Sequence, residues 1–116
     1  MKHTFTQVLK DFEPIIDFSS IECNNGWMDI IYDTLSKIRE MNNKNVSITG
    51  IGESEGHLEI RYSLTFEDNN VIVDLTQLQK IIDDAASLST RTCEYCGKPG
   101  KLRFNSWAHV TCDDCE

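Results

Sequence analysis

The chain has no apolar run approaching the ~18 residues of a membrane span. Its first residues, MKHTFTQVLKDFEPII, lack the apolar core and small-residue cleavage site of a secretion signal. A cytoplasmic location is the expectation. Prolines are scarce, with two in 116 residues, and cysteine is nearly absent before residue 93. Common enzyme motifs are missing too: no Walker A loop, GxSxG, HExxH or GxGxxG occurs. Cations are few, with 11 Lys and Arg against 19 Asp and Glu, for a net charge of −8. That balance disfavours non-specific attraction to phosphate backbones and suits a protein partner with a basic face.

The charge is uneven. Residues 1–90 hold 15 acidic and 7 basic side chains, while residues 91–116 hold 4 of each. Two units follow from this, an acidic α+β body over 1–90 and a four-cysteine ribbon over 91–116.

Four of the five cysteines stand in that tail, as Cys93, Cys96, Cys112 and Cys115. Fifteen residues separate the two CxxC pairs, the spacing of a four-thiolate zinc site. A two-residue gap lets a tight turn aim both sulfurs at one ion. In a reducing compartment such pairs act as metal ligands before they act as disulfides. A thioredoxin-like pair would need a βαβ setting, which is not visible. Iron would satisfy the same sulfur geometry. Four thiolates close the coordination sphere, so Zn²⁺ here is expected to be structural. His109, three residues before Cys112, is surplus to the set. Strands are expected at Glu94–Lys98, Lys101–Phe104 and Trp107–Thr111, with Lys98-Pro99-Gly100-Lys101 as a turn.

In the body, apolar residues recur at helical spacing over Thr4–Phe12 and most clearly over Trp27–Met41, where Asn24 or Asn25 would cap. Ile15, Ile16 and Phe18 form a short apolar run. Val46–Gly52 and His57–Phe66 alternate as two strands of an antiparallel hairpin around Glu53–Gly56. Val71–Val73 suits a third strand or a helix entry. A helix from about Leu75 to Leu88 follows, capped by Asp74 or Thr76. The class is α+β: helices packed on a small antiparallel sheet with a C-terminal zinc ribbon, whose strands could extend that sheet.

Cys23 is the remaining cysteine. His3, His57 and His109 are the available bases, and nothing in the sequence sets one beside it, so a buried apolar role is expected. The carboxylate pairs Glu53/Glu55 and Asp83/Asp84 suit solvated turn and helix positions. No enzymatic activity is expected. The helix carboxylates Asp29, Asp33, Glu40, Asp83 and Asp84 are candidates for meeting a basic partner. Arg91, Lys98, Lys101 and Arg103, with Trp107 among them, are the alternative, a nucleic-acid contact on the ribbon. Trp107 and Phe104 could instead pack the ribbon onto the body.

NNGWMDIIYDTLSKI, GHLEIRYSL and LSTRTCEYCGKPGKL with W-x₄-C-x₂-C carry a resemblance. The chain resembles a group of small phage-encoded and bacterial proteins of unassigned function, with a GW helix start and a TCExCGxPG…W…CDxC tail. The corresponding residues are Cys23, Gly26, Trp27, Gly56, Leu58, Tyr62, Ser89, Arg91, Thr92, Cys93, Glu94, Cys96, Gly97, Pro99, Gly100, Trp107, Cys112, Asp113 and Cys115. The chain departs at Asn24, where the group has glycine. It also has IGESEG where the group has a basic stretch, which argues against a phosphate-contacting role. The resemblance implies a phage or mobile-element setting, and from there an inhibitor of a host defence nuclease complex.

Overall fold

A computed structural model describes residues 3–17, 20–41, 46–64, 75–105 and 107–116. Helix α1 (Phe5–Asp11) starts at Thr4, whose hydroxyl accepts a hydrogen bond from the Gln7 amide at 3.1 Å. It packs on α2 (Met28–Glu40) through Phe12 and Tyr32, whose rings meet edge-on at 4.8 Å. Tyr32 also donates to Asp11 at 2.8 Å. Helix α2 buries Met28, Ile30, Ile31, Thr34, Leu35 and Ile38, a stripe at intervals of three and four.

Strands β1 (Val46–Ser54) and β2 (His57–Leu64) form an antiparallel hairpin. Its two-residue turn, Glu55 and Gly56, has φ of 50° and 85°, so both positions are left-handed. This is the hairpin turn whose twist matches the strands, and glycine takes its second position without strain. The register slips by one residue between Ile48 and Gly50. The segment before α2 runs along the other edge of β1, with parallel bridges Ile16↔Ile48 and Glu22↔Gly52. That flanking chain explains why β1 is buried at Ile48, Gly50, Ile51 and Gly52 rather than strictly alternating.

Helix α3 (Leu75–Ser89) lays Leu78, Ile82, Ala85 and Ser89 against α2 and β2. Ser89, fully buried, accepts from the Leu58 amide at 2.8 Å and donates to the Ala86 carbonyl at 2.6 Å. The α3 terminus is thereby tied to the hairpin. Strands β3 (Lys101–Asn105) and β4 (Trp107–Thr111) form a second antiparallel pair. The α+β class holds, and no described helix is long and apolar enough to cross a membrane.

Several expected details shift. The two described sheets are separate, so the ribbon does not extend the first. Residues 94–96 turn rather than form a strand, because Cys93 and Cys96 must curl toward one point. The Pro99–Gly100 stretch is paired instead of turning, with Thr92 bridging Pro99 and the Gly100 amide donating to Arg91. No asparagine side chain caps α2, which Asn25–Trp27 enters by a 3₁₀ turn. Phe18, Phe66, Val71–Val73 and Asp74 lie outside the described residues.

Candidate metal centre

The four tail thiols converge. The Sγ atoms of Cys93, Cys96, Cys112 and Cys115 all lie within 4.8 Å of one another, and those of Cys96 and Cys112 are 3.5 Å apart. A zinc–sulfur bond of about 2.3 Å spaces the sulfurs of a tetrahedral site about 3.8 Å apart. The cluster therefore fits a metal ion, and none of the five cysteines is in a disulfide.

Local folding places each pair. In the first, the Gly97 amide donates to the Cys93 carbonyl at 3.0 Å, closing a turn that Gly97 completes with φ 81°. In the second, the Cys115 amide donates to the Cys112 carbonyl at 3.2 Å. The Cys93 amide closes the first loop further by donating to the Lys98 carbonyl at 2.8 Å, and the Glu94 amide draws the two loops together by donating to the Val110 carbonyl at 3.0 Å. Gly100 permits this crossing: a Cβ there would press on the backbone of Cys93 and Thr111, at 2.9 and 3.0 Å.

The thiols share charge unevenly. Burial opposes the Cys93 thiolate, yet backbone N–H groups of Cys112, Cys96 and Tyr95 outweigh it and bring the thiol down to about 6. Its neighbours, Cys112 first, push Cys115 up to about 12. A divalent ion removes that competition, because each sulfur then binds deprotonated.

The first pair is built into the body. The Gly26 amide donates to the Glu94 carbonyl at 2.6 Å, and Trp27 Nε1 donates to the Thr92 carbonyl at 2.9 Å. Glu94, only 6% exposed, accepts at Oε2 from the Asn24 amide at 3.1 Å and from Asn24 Nδ2 at 2.9 Å. Gly26 has no substitute here, since a Cβ would overlap the Cys93 carbonyl and the Glu94 backbone. The GW helix start and the TCExCG motif are the two sides of one contact. Sequence reasoning missed Glu94 as a buried group. The signal was an acidic residue inside the first CxxC, beside a ribbon whose only other carboxylates follow Cys112.

The second pair is held differently. Arg103, 18% exposed, donates from Nη2 to Asp113 Oδ1 at 2.8 Å. Its Nε lies 3.3 Å from Glu116 Oε2, an ion pair whose N–H is not aligned as a hydrogen bond. Thr111 donates to the same Glu116 oxygen at 2.7 Å. His109 also faces Glu116, at 3.4 Å, and its Nδ1 faces the Trp107 carbonyl, so it serves the hairpin rather than the sulfur cluster.

The other candidate residues scatter. Asp33 pairs with Lys37 and Asp84 with Lys80, each at 3.2 Å. Asp83 accepts from Gln79 at 2.8 Å, and Asp29 lies 2.8 Å from His3. Glu40 is exposed at the end of α2. These carboxylates belong to two helices and are largely answered by neighbours on the chain. Of the basic set, Arg103 is spent on the second loop and Arg91 donates to Ser87 at 3.2 Å, while Lys98 and Lys101 are exposed.

The aromatic residues do not pack the ribbon on the body. Phe104 is 75% exposed and Trp107 66%. Phe104 pairs with Ala108, one residue beyond Trp107, so the two rings leave the hairpin end on opposite faces. Leu102 and Ala108 make the contact with the body instead, at the Gly56 turn. Cys23 is partly buried, and desolvation, then the Glu94 and Glu53 carboxylates, push its thiol up to about 12.

Family models, curated proteins and solved structures yield no match to this chain.

Proposed function

We propose that this is a non-enzymatic binding protein whose ribbon is held by a structural zinc ion and whose hairpin end contacts a protein. Zinc suits four thiolates in a reducing compartment, and a closed set leaves no position for a reacting water. Cys23 does not support nucleophilic catalysis, since a thiol at about 12 is almost wholly protonated at neutral pH.

The observation that carries the reading is the exposure of Phe104 and Trp107 on the hairpin that leads into the second cysteine pair. Large aromatic side chains are favoured anchors in protein interfaces. The net charge of −8 suits a partner with a basic face. The resemblance of the tail to phage-encoded proteins makes a host defence nuclease complex the first partner to test.

The test is capture from host lysate by tagged protein, with and without nuclease. A nuclease-resistant protein should be retained by the wild type and lost by Phe104→Ala, Trp107→Ala and by Cys96→Ser, Cys112→Ser. Absence of any such protein overturns the reading. A second reading, contact with single-stranded nucleic acid, draws on the exposed Lys98 and Lys101 of the same ribbon, toward the other end of the hairpin from the aromatic residues. It requires binding that weakens with salt and weakens again in Lys101→Ala.

A further inference from the structure

We infer that Arg103 is the positioning residue that holds the second cysteine pair in place for the metal. The inference rests on the metal-centre reading and is independent of the partner. Cys112 is bracketed by Thr111 and Asp113, and Cys115 is followed by Glu116. Arg103 touches all three flanking residues. Its Nη2 donates to Asp113 Oδ1 at 2.8 Å and reaches the Thr111 carbonyl at 3.5 Å, and its Nε pairs with Glu116 at 3.3 Å. Thr111 closes the loop by donating to Glu116 at 2.7 Å.

The geometry is specific to a guanidinium. One planar group reaches a carboxylate on each side of the loop, and the β3 register sets Arg103 opposite His109, two residues before Thr111. An ammonium at that site could satisfy one carboxylate at a time. The Arg103 side chain is itself mostly covered, unlike the lysines of the pairs on α2 and α3, so its guanidinium is held in place over the loop while Asp113 faces solvent. Contacts of this kind around metal ligands typically change affinity by about 10–100-fold when removed.

The experiment uses the full chain and two readouts, the absorption spectrum on Co²⁺ titration and Zn²⁺ affinity by chelator competition. The wild type should give the intense spectrum of a four-thiolate cobalt site. If it does not, the metal-centre reading fails and takes this inference with it. With that spectrum in hand, Arg103→Ala should bind Zn²⁺ about tenfold or more weakly and shift the cobalt bands. Arg103→Lys should not restore either. Lys98→Ala and Lys101→Ala, which remove equal charge from the same ribbon, should bind as the wild type does. Asp113→Asn, Glu116→Gln together remove the same contacts from the other side and should reproduce the loss. They decide the matter alone if Arg103→Ala does not fold. Zn²⁺ affinity in Arg103→Ala equal to that in Lys101→Ala, or unchanged affinity in the carboxamide double variant, overturns the inference while leaving the metal centre standing.

Discussion

The two halves of the metal centre have the same chemistry and different supports. Cys93 and Cys96 lie in a loop gripped by the body: Gly26, Trp27 and Asn24 all bond to residues 92–94. Gly26, Trp27 and Glu94 are buried in this contact, with Asn24 exposed at its edge. Cys112 and Cys115 lie in a loop held by the ribbon's own Arg103, through carboxylates at the surface. Asp113 is 88% exposed, and an ion pair in such a setting is typically worth about 0–1 kcal/mol alone. One half is therefore anchored on the body, whereas the other is anchored within the ribbon.

Metal removal should give the largest effect. Structural zinc in small peptides binds with roughly 10–16 kcal/mol at neutral pH, far more than a ribbon's own packing supplies. Chelation should release β3–β4 and the second loop while α2 and α3 persist. Amide hydrogen exchange checks this, because Gly26 should stay protected after chelation when Val110 and Cys115 do not. Equal loss at both loops would mean that both depend on the ion alike.

Gly26→Val comes next, since its side chain would enter the Cys93–Glu94 backbone. The cost should exceed about 4 kcal/mol and be visible as loss of the cooperative thermal transition. Glu94→Ala removes both hydrogen bonds from Asn24, whose exposed donors water can then answer, at about 0.5–1.5 kcal/mol, measurable by denaturant unfolding. Asp113→Asn, its counterpart in the second loop, should change unfolding of the chelated protein by less than about 0.5 kcal/mol.

Cys23 supplies a pH test of the body side. Its thiol is raised in the fold, so the unfolded chain ionises first as pH rises. Its contribution is complete below the ordinary thiol value of 9.0 and is lost as pH climbs toward about 12. Stability of the loaded protein should fall over that window, and Cys23→Ala should flatten the fall. At pH 8 the folded protein should react slowly with iodoacetamide at Cys23.

The ligand set was legible because spacing alone specifies it: two CxxC pairs with fifteen residues between them. Helix α2 and strand β2 were legible for a similar reason, since their apolar residues repeat at the period of the element. What was hidden depends on partners far along the chain. Glu94 bonds to Asn24, 70 positions earlier, and no local pattern marks an acidic residue as covered. Asn24 looked like a helix cap because its residue type suits one, but its side chain is committed to Glu94. Arg103 counted as a free cation because its carboxylates lie ten or more positions on. Bracing the ribbon was one of two roles open to Phe104 and Trp107, and it falls instead to the smaller Leu102 and Ala108, which reach the glycine at the hairpin turn.

The two tryptophans sit at opposite ends of this contrast. Trp27 is sealed and its indole N–H is bonded to the residue before Cys93, while Trp107 stands in solvent. Fluorescence of the native protein is thus two signals that a soluble quencher separates. Acrylamide should silence the red-shifted Trp107 component first and leave a blue component that reports whether the seam beside the metal is closed. The protein carries its own optical gauge of that seam, readable without a label.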